Sequence, residues 1–162
     1  MLPIFNTTTS HFDLRKVITM KKLCLALGLF GLASVAAAAD PLNGTLWRAI
    51  DDKTGKPKAV VKFTEQNNGT LSASIQQVLT PGEENACSKC QGQYKNKSLK
   101  GLTIVHGLKN AGNNQYEGGS IMDPNSGKTY KLKSTLKGTQ LDMHGFIGLT
   151  VIGRTQIWQR VQ

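Results

Sequence analysis

The sequence predicts an all-β domain, folded as a small antiparallel up-and-down β-barrel of about eight strands. Short segments in which apolar and polar residues alternate recur along residues 45–161, each ended by glycine, asparagine, aspartate or proline. No segment after residue 40 keeps a helical apolar period for a useful length. A meander joined by short hairpins closes most simply as a barrel, which also removes bare strand edges. A two-sheet sandwich is the alternative architecture.

The elements follow in chain order. Residues 45–50 form the first strand, ended by Asp51-Asp52-Lys53-Thr54-Gly55. In the second, Ala59, Val61 and Phe63 share one face, with Lys58 and Lys62 on the other. Asn68-Gly69 is a strong hairpin signal, because both residues tolerate the positive φ that tight turns need. Leu71, Ala73 and Ile75 then alternate with serine and glutamine. A loop over residues 80–97 carries two cysteines. Beyond it Leu102, Ile104, His106 and Leu108 share a face. Asn110-Ala111-Gly112-Asn113-Asn114 turns the chain into residues 115–122, where Gly118-Gly119 reads as a bulge or a close backbone approach. After Asp123-Pro124-Asn125-Ser126-Gly127, the apolar residues Tyr130, Leu132 and Leu136 alternate with Lys131, Lys133 and Lys137. Leu141 and Met143 mark the seventh strand, and residues 157–161 the last.

Residues 20–39 read as an export signal. Met20-Lys21-Lys22 is a basic start, residues 23–32 an apolar run, and Ala37-Ala38-Ala39 a small-residue cleavage site before Asp40. The apolar run is too short for a membrane-spanning helix. Cys24 lies at its start, where no lipid anchor attaches. Residues 1–19 fit no export grammar and read as a mis-called start. Residues 1–39 are therefore expected to be a leader, residues 40–162 a single barrel domain, and the product periplasmic or secreted. The leader takes four of the 20 basic residues and one of the ten acidic ones, which leaves 123 residues with a formal charge of +7.

The lysines are spread along strands and loops with little aromatic interleaving, so nucleic-acid binding is not expected. Weak contact with an anionic envelope surface is. No nucleophile elbow, phosphate-cradling loop or zinc-protease helix motif occurs, and the adjacent acids Asp51-Asp52 and Glu83-Glu84 diverge too much to work as acid/base couples. The domain is expected to be non-catalytic, without metal or cofactor.

Cys87 and Cys90 are expected to form a disulfide that clips their loop, the default in an oxidising compartment. A redox site is the second reading, but such a site wants a helix N-terminus that this stretch does not offer. Half of a zinc site is the third, with only His106 and His144 left as soft partners. Trp47, His106 and Tyr130 are the candidate pocket residues for a small hydrophobic or amphipathic ligand. An envelope interaction protein that uses the cysteine loop or a sheet edge is the alternative function.

Two longer stretches carry a family resemblance. Gly118-Gly119-Ser120-Ile121-Met122-Asp123-Pro124-Asn125-Ser126-Gly127-Lys128-Thr129-Tyr130 is one; Gly145-Phe146-Ile147-Gly148 through Gly153-Arg154-Thr155-Gln156-Ile157-Trp158-Gln159-Arg160 is the other. With Gly44 and Trp47, and with the cysteine pair followed by Leu99-Lys100-Gly101-Leu102, the chain resembles domain-of-unknown-function family 2147, small exported bacterial proteins. The resemblance implies a lipocalin-like (calycin-like) barrel with no established activity or ligand. It also implies that a tryptophan of the first strand closes one end against an arginine of the last. Trp47 and Arg160 fit those parts, with Arg154 a second candidate.

Overall fold

The structure, a computed structural model, describes residues 38–82 and 86–161. The expected signal segment lies outside them except for Ala38 and Ala39, as do Glu83 and Glu84. Eight strands follow one another: β1 (Leu46–Ile50), β2 (Pro57–Glu65), β3 (Leu71–Val78), β4 (Thr103–Gly112), β5 (Gln115–Asp123), β6 (Lys128–Lys137), β7 (Gln140–Phe146) and β8 (Gly153–Arg160). Each pairs antiparallel with the next, and β8 returns to β1 through Trp47↔Arg160, Arg48↔Gln159 and Ala49↔Trp158. The ring is closed, so the barrel rather than the sandwich is the architecture. Closure gives each strand a neighbour on both sides, although β8 residues 153–157 have register partners on β7 alone.

Regular and irregular pairing divide the ring. Strands β6, β7 and β8 run in unbroken register from Lys131↔Phe146 to Lys137↔Gln140 and from Gln140↔Gln159 to Phe146↔Gly153. The pairings of β2 through β6 each contain at least one register shift. Such bulges add local twist, and twist lets a sheet of ordinary strands curl shut. Two of them centre on Gly107 and Gly118, whose φ values of +67° and +73° suit glycine.

The bulge at Gly107 changes which side chains face inward. Val105 is fully buried opposite Ala73 and Ile121, and Leu108, three residues on, is fully buried opposite Leu71. His106 therefore takes the outer face beside its register partner Ser120. The strict alternation that groups His106 with Leu108 holds only for an unbulged strand.

Up-and-down topology gives the barrel two ends. The base carries the β2–β3, β4–β5 and β6–β7 turns together with residues 38–45. The mouth carries the β1–β2 loop (51–56), the long β3–β4 connection (79–102), the β5–β6 turn (124–127) and the β7–β8 loop (147–152). Leu42, Trp47, Phe63, Leu71, Leu108 and Tyr116, none more than 2% exposed, pack the interior.

Short-range chemistry seals the base. The Asp40 carboxylate accepts from its own turn at Leu42 N (2.8 Å), from Asn110 Nδ2 (2.8 Å) and from the Tyr116 hydroxyl (3.2 Å). The Asp40 amide donates to Glu65 Oε2 at 3.0 Å. This knot holds Leu42 under the barrel. The Trp47 indole N–H donates to Thr45 Oγ1 at 2.7 Å, and the Arg160 guanidinium lies 5.7 Å from the Trp47 ring centre, a cation–π distance.

Candidate ligand site

The upper half of the barrel encloses a cavity of about 420 Å³. Its walls are the inner faces of the strands as they near the mouth: Val61, Ile75, Ile104, Tyr130 and Met143 are among the side chains that line it. Trp158 also lines it and packs against Phe63 with ring centres 6.1 Å apart; Phe63 itself does not reach the cavity, so the ring pair separates it from the packed base. The Trp158 indole N–H is buried and has no acceptor among the described residues.

Charge appears only at the rim. Lys58, Asp123 and Arg154 line the cavity, and each cation is paired with an acid of the β1–β2 loop: Lys58 Nζ–Asp51 Oδ2 at 3.0 Å and Arg154 Nε–Asp52 Oδ2 at 3.1 Å. The Asp51 carboxyl is held well below the usual carboxylate range by the Lys58 ammonium, helped by the backbone N–H groups of Thr54 and Lys53. At the base the shift is opposite. The Tyr116 hydroxyl is pushed up, first by burial and then by the neighbouring Asp40 carboxylate.

Of the candidate pocket residues, Tyr130 lines the cavity, whereas Trp47 and His106 do not. Trp47 belongs to the base. His106 lies outside the barrel, where its Nε2 meets Thr103 O at 3.2 Å and its ring sits 6.4 Å from that of Tyr94. Arg160 pairs with Trp47 at the β1–β8 seam, while Arg154 stands at the opposite end of β8 and closes nothing with Trp47. Side chains that the sequence does not single out carry most of the wall. Ala59 and Gly145 are small residues on inner faces near the mouth, and that smallness is what keeps the space open.

Cys87 and Cys90 are joined by a disulfide, and both are buried. Their loop is fastened to the barrel rather than swinging over it: Cys90 Sγ lies 3.5 Å from Met122 Sδ, and Cys87 Sγ lies 3.6 Å from the Pro124 carbonyl. A single 3₁₀ turn (Gly92–Tyr94) follows the pair, which sits in the loop before it. Among the described residues no group of three or more His, Cys, Asp or Glu could hold a metal ion. His144 and Asp142 have separate partners: Asp142 pairs with Lys137, which lowers its pKa, and His144 contacts Thr155 Oγ1 (2.9 Å) and Thr150 O (2.8 Å).

No curated protein matches the chain. Among solved structures, it is similar to protein HP1028 from the human pathogen Helicobacter pylori, described as belonging to the lipocalin family. The two are 22% identical, with a TM-score of 0.66 over 75% of this chain and 83% of that one. That likeness fixes the fold as lipocalin-like. A family profile described as "Uncharacterized protein conserved in bacteria (DUF2147)" matches residues 45–160, nearly all of the barrel. The chain therefore belongs to the DUF2147 family.

Proposed function

We propose that this protein is an exported, non-catalytic binding barrel that holds a small hydrophobic or amphipathic ligand in the bacterial envelope. The observation that carries the reading is the cavity of about 420 Å³, apolar within and opening at the mouth. Its size falls within the range of small-molecule sites, about 300–1,000 Å³. Eight strands leave room for packed side chains or for one small ligand, and here the base takes the first option and the mouth the second. The placement of charge narrows the ligand class. An apolar body fits between Val61, Ile75 and Met143, and a polar head would meet the ion-paired rim, where Lys58, Arg154 and Asp123 line the cavity. Export rests on the leader-like segment at residues 20–39.

The test is to fill the cavity. Ala59→Trp places a bulky ring among the lining residues. A fluorescent long-chain carboxylic acid should bind the unaltered protein and lose its affinity for the variant, with both showing the same far-UV circular dichroism. Equal binding by both proteins would sink the reading. Mass spectrometry of protein purified gently from the envelope would then identify the natural occupant.

A further inference from the structure

The β7–β8 loop, residues 147–152, carries four aliphatic side chains that stand in solvent: Ile147 is 61% exposed, Leu149 71%, Val151 85% and Ile152 67%. Gly148 and Thr150 complete the loop, which has no charged residue. Single exposed apolar residues are ordinary on a protein surface, but a contiguous group marks a contact.

The exposure is built into the fold. The His144 ring reaches the loop from β7, with Nε2 2.8 Å from Thr150 O, and its Nδ1 lies 2.9 Å from Thr155 Oγ1 on β8. Within the loop the Ile152 amide donates to Leu149 O at 3.0 Å. The backbone is thus held on both sides while most of each aliphatic side chain stays in solvent. Ile147 and Ile152 also line the cavity, so the patch is continuous with the apolar lining at its mouth.

Because β8 pairs with β1, the neighbouring element around the rim is the β1–β2 loop, tied to β8 by the Arg154–Asp52 ion pair. That loop presents the exposed Lys53 and Lys56, while its acids Asp51 and Asp52 are engaged by Lys58 and Arg154. On the other side Lys128, the first residue of β6, stands exposed just after the β5–β6 turn. The acid at that turn, Asp123, is bonded within it to Ser126 and to the Asn125 amide. An apolar tip flanked by lysines matches a bilayer surface with anionic headgroups, where aliphatic side chains enter the acyl boundary and the lysines stay among the phosphates. A second protein copy is a poorer fit, since six residues offer far less than the roughly 1,200 Å² that a stable pair buries.

We propose that residues 147–152 are a membrane-contact loop that seats the mouth of the barrel on a bilayer carrying anionic lipid. The contact stands by itself. Its consequence, that an apolar ligand passes between bilayer and cavity without crossing water, rests on the binding function proposed above.

The experiment is co-sedimentation with phosphatidylcholine vesicles, with and without phosphatidylglycerol. The protein should pellet with the anionic vesicles, less so as salt rises, and weakly with phosphatidylcholine alone. The double variant Leu149→Asp, Val151→Asp should lose binding about ten-fold or more while it keeps its melting temperature and its affinity for the fluorescent fatty acid. Lys53→Glu with Lys56→Glu should weaken binding to the anionic vesicles only. The proposal is overturned if the unaltered protein stays in the supernatant, or if the aspartate variant pellets equally well. It is also overturned if the loop proves to mediate self-association that the aspartates abolish, with no vesicle binding by either form. Vesicle binding without any uptake of the fatty acid would support the contact loop and remove the ligand function.

Discussion

At the base of the barrel Leu42, Trp47, Phe63, Leu71, Leu108 and Tyr116 are covered, and the polar groups around them bond one another. At the mouth four aliphatic side chains face solvent, and the charged groups pair across a rim around unfilled space. Strand chemistry is much the same at both ends, so the difference arises from the connections. Tight turns and residues 38–45 shut one end, while longer loops frame the other. A barrel this small has room for either a packed core or a ligand at any given level, and this one changes from the first to the second at the Phe63–Trp158 pair.

The largest expected contrast comes from truncating one side chain at each end. Trp47→Ala removes a fully buried ring at the base and should cost about 3–5 kcal/mol of unfolding free energy in urea titration. Leu149→Ala at the mouth should stay within about 0.5 kcal/mol of the unaltered protein. Comparable losses at both would erase the distinction. Next in size is the disulfide. Replacing Cys87 and Cys90 by serine should cost about 2 kcal/mol, as expected for so short a loop, and leave fatty-acid binding intact. Lost binding would show that the clip also shapes the mouth.

The seam gives a smaller effect. In a double-mutant cycle, Trp47→Leu and Arg160→Gln should be non-additive by about 0.5–1 kcal/mol, the usual value where the cation stays in solvent. Additive losses would mean that the guanidinium contributes nothing through the ring. The smallest effects are in pH dependence, and they differ in sign between the ends. The Tyr116 pKa is raised in the folded protein, so its contribution is in place below the ordinary tyrosine value of about 10 and is lost as pH climbs beyond it. The Asp51 pKa is lowered, so its contribution is in place above the ordinary carboxylate value of about 4 and is lost as pH falls through the acid range. Melting curves across pH should therefore lose part of their alkaline slope in Tyr116→Phe and part of their acid slope in Asp51→Asn. Parallel slopes in either variant would remove that assignment.

The strands were legible because each needs only a local rule. Lysine and leucine alternate through β6, and Asn68-Gly69 and Asn113-Asn114 mark hairpins by their tolerance of positive φ. The closing pair of Trp47 and Arg160 came from family resemblance, since no spacing rule joins residues 113 positions apart. The face of His106 was not legible, because the bulge at Gly107 breaks its parity with Leu108, a second register shift between Thr103 and Val105 breaks its parity with Leu102, and the residues there announce neither. The cavity wall was equally hidden: Ala59 and Gly145 matter through their small volume, and that has meaning only once the opposite wall is in place. The knot around Asp40 left one local trace, the turn between its carboxylate and the Leu42 amide. Its partners Asn110 and Tyr116 lie 70 or more residues away.

The same knot bears on the proposed cleavage before Asp40. Its donor to Glu65 is the backbone nitrogen of Asp40, an uncharged amide for as long as Ala39 is attached. A polypeptide beginning at Asp40 carries a cationic terminus at that spot, 3.0 Å from a carboxylate, and a hydrogen bond becomes an ion pair. Removing the prefix would then tighten the bottom seal, so the trimmed product should melt higher than one with Ala38 and Ala39 still in place, and Glu65→Gln should abolish that gain.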